Sequence, residues 1–373
     1  MRAWLFWATA VSLVVIAGGC GDSPSSSRHT PAARPGRGGE PRAADPVDRL
    51  TLRQQVGQLL VFSFRGERAP GYVARILRAH TAAGAFLSAG NVVSPRQLRA
   101  LTRSLQRAGG GSVLIATDQE GGPVRVIPFA GPGRGQAEQA TPAQAGTAAR
   151  AAARGLRALG VNVNLAPVAD VAAAGPSAVR ERAFPGGPDA VAARVAAAVR
   201  GARAGGVAPT VKHFPGFGAA EASTDDRPVT IARTAAGLRA DDVRPFRAAI
   251  DAGAPLVMAS HALYPKLDRE RIASQSPSLL QGELRQKLGF RGVVITDSLE
   301  ARAVIARNPV EEAAVRSVAA GADLLLMTGR GSYRRVFPRL LAEARRSQRF
   351  RRRVREAATR VLELRKRVKT GRL

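Results

Sequence analysis

Eight short runs of nearly unbroken apolar residues recur along the chain, with enough sequence between them for a helix in each gap. They fall at 58–64, 84–88, 113–117, 162–167, 207–213, 256–260, 292–296 and 322–327. A strand with one wet face alternates apolar and polar residues, whereas a strand covered on both faces is apolar throughout. Between the runs the pattern lengthens to helical spacing. Residues 189–204 predict an Ala-rich helix. Asn308 reads as the cap of another, with Pro309 in its first turn and Gly321 as its stop. A final helix carries Phe350, Val354, Ala357, Val361, Leu364 and Val368 on one face, and its many arginines predict a solvated outer face. Eight β–α repeats in one domain predict an α/β fold, a closed (β/α)8 barrel of the TIM type. An open doubly wound sheet is the alternative, and eight strands would make it unusually long.

The first 46 residues do not follow this pattern. Arg2 precedes an apolar stretch, 4–19, that is too short to span a membrane comfortably and reads as an export signal. It ends in Ala17-Gly18-Gly19 directly before Cys20, the only cysteine. The arrangement resembles the bacterial lipobox. That implies lipidation of Cys20 and anchoring to the outer face of the cytoplasmic membrane, with an ordinary secretory signal and an incidental cysteine as the other reading. Residues 20–46, rich in Ser, Pro, Gly and Arg, predict a disordered tether reaching about 25–30 Å. The expected organisation is a signal peptide at 1–19, a lipidated Cys and tether at 20–46, and a barrel domain at 47–373. A single cysteine excludes an intramolecular disulfide.

The formal net charge is +29, and only five of the 57 basic residues are lysines. The arginines are spread along the whole chain with no aromatic-interleaved basic patch, which argues against a nucleic-acid module. Anionic cell-wall polymers are the partner that such a charge would suit. The sequence is silent on oligomeric state, and a monomer is expected because a barrel of this type can work alone.

In a (β/α)8 barrel the active site lies at the C-terminal ends of the strands. Polar residues collect there: Asp118 after the third run, Asp170 after the fourth, Lys212 and His213 ending the fifth, His261 after the sixth and Asp297 after the seventh. The segment Lys212-His213-Phe214-Pro215-Gly216-Phe217-Gly218 brings a cation and an imidazole to a strand tip, where both lose water, and then opens a loop. A buried structural His beside a structural Lys is the plainer reading of that segment alone. The chain has no cluster with zinc-ligand spacing, no Gly-x-Ser-x-Gly elbow and no phosphate loop. No metal or organic cofactor is indicated. Carboxylates at a barrel mouth suit glycoside hydrolysis, in which one attacks or supports the anomeric carbon while a second group protonates the leaving oxygen.

At this point the chain resembles a glycoside hydrolase family 3 catalytic domain, of the single-domain β-N-acetylhexosaminidase type. The resemblance rests on Thr117-Asp-Gln-Glu-Gly-Gly122, Glu181-Arg-Ala-Phe184, Lys212-His-Phe-Pro-Gly216, Met258-Ala-Ser-His261, Gly292-Val-Val-Ile-Thr-Asp-Ser-Leu299 and Ala320-Gly-Ala-Asp-Leu-Leu-Leu-Met327. It implies a retaining mechanism with Asp297 as nucleophile, and contacts from Asp118, Arg182, Lys212 and His213 to the sugar at the non-reducing end. An Asp118–Arg182 ion pair that merely holds loops, and an Asp297 that caps the next helix, are the structural alternatives. Asp170 and His261 read as supporting residues.

The departures from the family pattern are equally informative. The loop after Lys-His-Phe-Pro-Gly carries a further His and then Asp-Ser-His in enzymes of this type, whose last His is the acid/base. Here those places read Phe217 and Ser223-Thr224-Asp225. An Arg expected after the Gly-Gly pair is Val126. Asp225 is the candidate replacement acid/base, with Asp226 and Glu221 on the same loop as fallbacks. The expected activity is release of a terminal β-linked N-acetylglucosamine from cell-wall or other glycans. A catalytically impaired glycan-binding lipoprotein and a β-glucosidase-like specificity remain the rivals.

Overall fold

The computed structural model describes residues 45–373, so the signal segment, Cys20 and nearly all of the tether lie outside the described residues. All eight apolar runs form strands: β1 (Leu60–Ser63), β2 (Gly84–Phe86), β3 (Leu114–Thr117), β4 (Val163–Asn164), β5 (Ala208–Phe214), β6 (Leu256–Ala259), β7 (Val293–Ser298) and β8 (Leu324–Met327). Each pairs in parallel with its sequence neighbours, and β1 pairs with β8, closing the ring. This is the (β/α)8 barrel that the pattern predicts.

The unbroken apolar runs have a direct cause. Successive side chains on a strand point to opposite faces. Leu256 and Met258 of β6 join the barrel interior with Val293 and Ile295 of β7 and with Leu324 and Leu326 of β8. Val257, Ala259, Val294, Leu325 and Met327, between them, pack in the layer under the helices. Both faces are dry, so neither tolerates polar residues.

The predicted helices form with small shifts. The Ala-rich helix is Pro188–Ala204. The helix expected to be capped by Asn308 is Val310–Ala320, and its N-cap is Pro309, one residue later than predicted. The last helix, Gln348–Thr370, buries Phe350, Val354, Ala357, Val361 and Leu364 as expected. Val361 and Leu364 join the barrel-interior residues, so this helix covers the floor of the barrel.

The solvated arginine face of that helix needs correction. Asp323, fully buried just before β8, accepts hydrogen bonds from Val294 N at 2.9 Å and from the guanidiniums of Arg285, Arg353 and Arg360. Arg365 is itself buried and donates to Ser112 O at 2.8 Å and to Gln58. Burial without an acidic partner pulls its pKa down to about 10. An arginine can cover apolar surface with its stem while its head finds buried acceptors, which periodicity does not reveal.

Candidate active site

The inward register continues past the strand ends and builds the site. Counting by twos from Leu114 and Ala116 gives Asp118, from Val293 and Ile295 gives Asp297, and from Ala208 and Thr210 gives Lys212. These three line a cavity of about 250 Å³ at the C-terminal mouth, whose apolar floor includes Leu165, Met258 and Leu326. Arg182, His213, Phe217 and Asp225 complete its wall. All six residues expected at the site therefore share one cavity. It is smaller than the roughly 300–1,000 Å³ that drug-sized ligands fill, which suits a single sugar ring.

One wall is an ion-pair cluster. Lys212 Nζ lies 2.7 Å from Asp118 Oδ1 and 2.6 Å from Glu120 Oε1. Arg182 holds Glu120 in a two-pronged pair, Nε to Oε2 at 2.9 Å and Nη2 to Oε1 at 2.8 Å. Arg182 is thus paired with Glu120 and not with Asp118. Glu120 follows β3 in a small hairpin, Gln119–Gly121 against Val124–Arg125, whose turn uses Gly121 and Gly122 at positive φ. Burial opposes the Glu120 charge, but Lys212 and Arg182 outweigh it and bring its pKa down to about 2. Burial likewise opposes the Lys212 ammonium, and Asp118 and Glu120 reverse the effect and raise its pKa. The cluster presents fixed charges, with Asp118 and Arg182 half-buried toward the cavity.

The opposite wall carries the nucleophile candidate. Asp170, fully buried, accepts from the His213 backbone N at 3.0 Å, from Phe217 N at 2.7 Å and from His213 Nδ1 at 2.7 Å. That fixes the imidazole with Nε2 toward Asp297, whose Oδ2 is 4.0 Å away. His261 Nε2 lies 2.9 Å from the Ser298 carbonyl, which can only accept, so Nε2 carries the proton and Nδ1 accepts from Ser274 at 2.7 Å. Burial lowers the His261 pKa. Asp297 Oδ1 accepts from Ser298 N at 2.7 Å. Burial raises the Asp297 pKa, but His213, His261 and Lys212 outweigh it, and the net shift is downward. Asp297 is therefore ionised, as attack on an anomeric carbon requires.

Asp225 stands at the rim on the loop after β5. Its backbone N donates to Ser223 Oγ at 3.1 Å, and its carbonyl accepts from Arg302 N at 3.3 Å. The residue is exposed overall. Even so, crowding around its carboxyl, followed by the Asp297 charge, raises its pKa. Two carboxyls of one cavity are thus pushed in opposite directions, which is how acid and base roles separate. Asp226 and Glu221 are exposed and do not line the cavity. Phe217 packs edge-on to His213 at 5.8 Å and adds apolar wall to the cavity. Among the described residues no group of three or more His, Cys, Asp or Glu converges as a metal site.

Comparison with known proteins decides the family. The profile of the glycosyl hydrolase family 3 N-terminal domain matches residues 51–364. The chain belongs to glycosyl hydrolase family 3. Within the family, it is 34% identical over 278 residues to a β-hexosaminidase of Xanthomonas oryzae pv. oryzae, covering 72% of this chain and 80% of that one. It is 34% identical over 302 residues to an uncharacterized secreted glycosyl hydrolase of Arthroderma benhamiae, covering 78% and 85%. A solved family 3 β-N-acetylglucosaminidase from Paenibacillus sp. superposes with a TM-score of 0.81 at 33% identity, covering 87% of this chain and 64% of that one. The β-N-acetylhexosaminidase of Beutenbergia cavernae superposes with a TM-score of 0.78 at 32% identity, covering 85% and 99%.

Sequence reasoning had no role for Glu120, although the quoted motif contained it. Its signal was the adjacent Gly121-Gly122, which allows the chain to double back and aim a carboxylate at Lys212.

Proposed function

We propose that this family 3 glycosidase is an exo-acting, retaining β-N-acetylhexosaminidase that releases terminal N-acetylglucosamine. The carrying observation is that an ionised Asp297 and an Asp225 of raised pKa border one cavity of single-sugar size. The β-hexosaminidase and β-N-acetylglucosaminidase relatives support the same substrate class.

In this reading Asp118, Arg182, Lys212 and His213 hold the hydroxyls of the non-reducing sugar through charge-assisted hydrogen bonds. Asp297 attacks the anomeric carbon and the bond to the leaving oxygen breaks. Asp225 gives that oxygen its proton. A glycosyl ester on Asp297 remains. Asp225, now a carboxylate, takes a proton from water as the water oxygen bonds to the anomeric carbon. Asp297 departs as carboxylate and Asp225 is protonated again.

Hydrolysis of 4-nitrophenyl N-acetyl-β-glucosaminide by the purified protein is the test. Asp297→Ala abolishes it. Asp225→Ala lowers kcat/KM by about 10²–10⁴ for substrates with poor leaving groups and spares kcat/KM for good ones. Equal residual rates in wild type and Asp297→Ala would overturn the nucleophile, and saccharide binding with no product after long incubation would leave a glycan-binding shell. A parallel screen of aryl glycosides reads the sugar preference, which Val126 in place of Arg leaves open to glucosides.

The leader supports action outside the cytoplasm, with Cys20 as the lipid anchor. Cys20→Ala then moves the protein from the membrane fraction to the medium; unchanged fractionation would overturn the anchor.

A further inference from the structure

Another hollow in the molecule has no part in the reaction above. A groove of about 680 Å³ runs between the helical segment Ser278–Lys287, the helix Val310–Ala320 and the start of the helix Gln348–Thr370. Its position is away from the mouth: Ala319 and Ala320 lead into the N-terminal end of β8, and Arg353 donates to the Gly321 and Ala322 carbonyls there. Five arginines line it: Arg271, Arg316, Arg349, Arg352 and Arg353.

The charge of this groove is not neutralised from within. Its two acids, Glu343 and Glu356, are already engaged, Glu343 by Arg339 and Arg346 and Glu356 by Arg353. Among the described residues Arg271, Arg316, Arg349 and Arg352 have no acidic partner within salt-bridge distance. Behind the groove, Asp323 is shared by three guanidiniums, so the buried cluster itself carries surplus positive charge. Two donors on its wall, Gln275 Nε2 and Arg353 Nε, are buried without an acceptor. Leaving a buried donor unmade is costly, and retaining two beside one hollow marks a wall short of acceptors. Every one of these features asks for the same ligand property, an extended set of anionic oxygens.

We propose that this groove binds a phosphodiester-linked polyol chain. Guanidinium groups match phosphate oxygens in two-pronged geometry. Of the unpaired arginines, Arg349 and Arg352 fall at i and i+3 of one helix, where neighbouring side chains are about 5–6 Å apart, and Arg316 and Arg271 come from two other segments, so the free guanidiniums are spread along the groove rather than gathered on a single ion. Nucleic acid is the less suited phosphodiester. Single-strand sites offer aromatic platforms for base stacking, and the one aromatic here, Phe350, is buried. A polymer held on the lower wall leaves the mouth open, so the protein can stay docked while the cavity turns over glycan ends.

The experiment compares the full chain with two triple variants of equal charge loss. One removes groove arginines, Arg316→Ala, Arg349→Ala and Arg352→Ala. The control removes the exposed Arg96→Ala, Arg99→Ala and Arg103→Ala on the helix Pro95–Ala108. Binding to poly(glycerol phosphate) is measured by calorimetry at two salt concentrations. The groove variant is expected to lose at least about tenfold in affinity and to show a shallower salt dependence. The control is expected to stay within about twofold, with aryl-glycoside hydrolysis and the thermal midpoint unchanged in both. Equal losses in the two variants, or no binding by the wild type, would overturn the proposal. Equally tight binding of single-stranded DNA or polyglutamate of matched charge would overturn the assignment to a polyol phosphate.

Discussion

Asp225 occupies a position where the family resemblance implies an imidazole, and under the proposed mechanism the exchange changes the pH at which the site can work. The proposed mechanism has Asp297 ionised and Asp225 protonated. The first has its pKa below the ordinary aspartate range and the second above it, so the working window opens between them. A histidine in the second role would titrate near 6.5. The alkaline limb of kcat/KM is therefore expected on the acid side of neutrality, and Asp225→His combined with Ser223→Asp moves it toward neutrality. An alkaline limb unmoved by that exchange would remove Asp225 from the proton transfer. Glu120 makes a separate, structural prediction. Its pKa is held at about 2, well under the usual 4.5, so its stabilising contribution is complete above pH 4.5 and drains away as the pH falls toward 2. Glu120→Gln leaves the buried Lys212 with Asp118 alone and the half-buried Arg182 without its carboxylate, and costs about 3–5 kcal/mol in urea unfolding at pH 7, with the acid limb of stability flattened. At this scale the sequence exposed the six cavity residues through short motifs and strand-end position. It hid Glu120 because the pairing depends on a hairpin folding back over the strand tip.

The strands were legible for one physical reason: both of their faces are dry, and an uninterrupted apolar run has few other uses in a chain of alternating elements. Their ends were not legible. The fourth run spans six residues in sequence, yet only Val163–Asn164 is regular strand; beyond it Ala166 and Pro167 still accept from Thr210 N and Lys212 N at 3.0 and 3.1 Å, and pairing resumes as a lone bridge between Val168 and Lys212. The last helix was read correctly on its apolar face and incorrectly on its polar one, since Arg353, Arg360 and Arg365 reach inward to acceptors far away in sequence. That helix seals the floor of the barrel. Leu364, 3% exposed against the interior residues, has no solvent-side escape, and Leu364→Ala is expected to cost about 2–5 kcal/mol in chemical unfolding while leaving KM unchanged. A cost under 1 kcal/mol would mean that the helix is an accessory rather than part of the core.

Across the whole molecule the charge is lopsided, at +29. Most of it is dispersed arginine that composition alone could not assign to a surface, and only the folded chain gathers five of these side chains around one groove. Retention of the intact protein on purified anionic cell wall is expected to fall steeply between low and physiological salt. Retention indifferent to salt would mean that the charge has no docking role.

The pairing of β1 with β8 has a consequence in time. Leu60, Val61 and Phe62 find their partners in Leu325, Leu326 and Met327, nearly the full span of the domain away. Contacts that distant are slow to form, because a very long loop must be ordered before they reward it. During synthesis the first strand must wait, its outer backbone groups unclaimed, until almost the last segment has emerged. The ring thus stays open for most of the chain's production. Once shut, the cylinder has no free rim to recruit other strands.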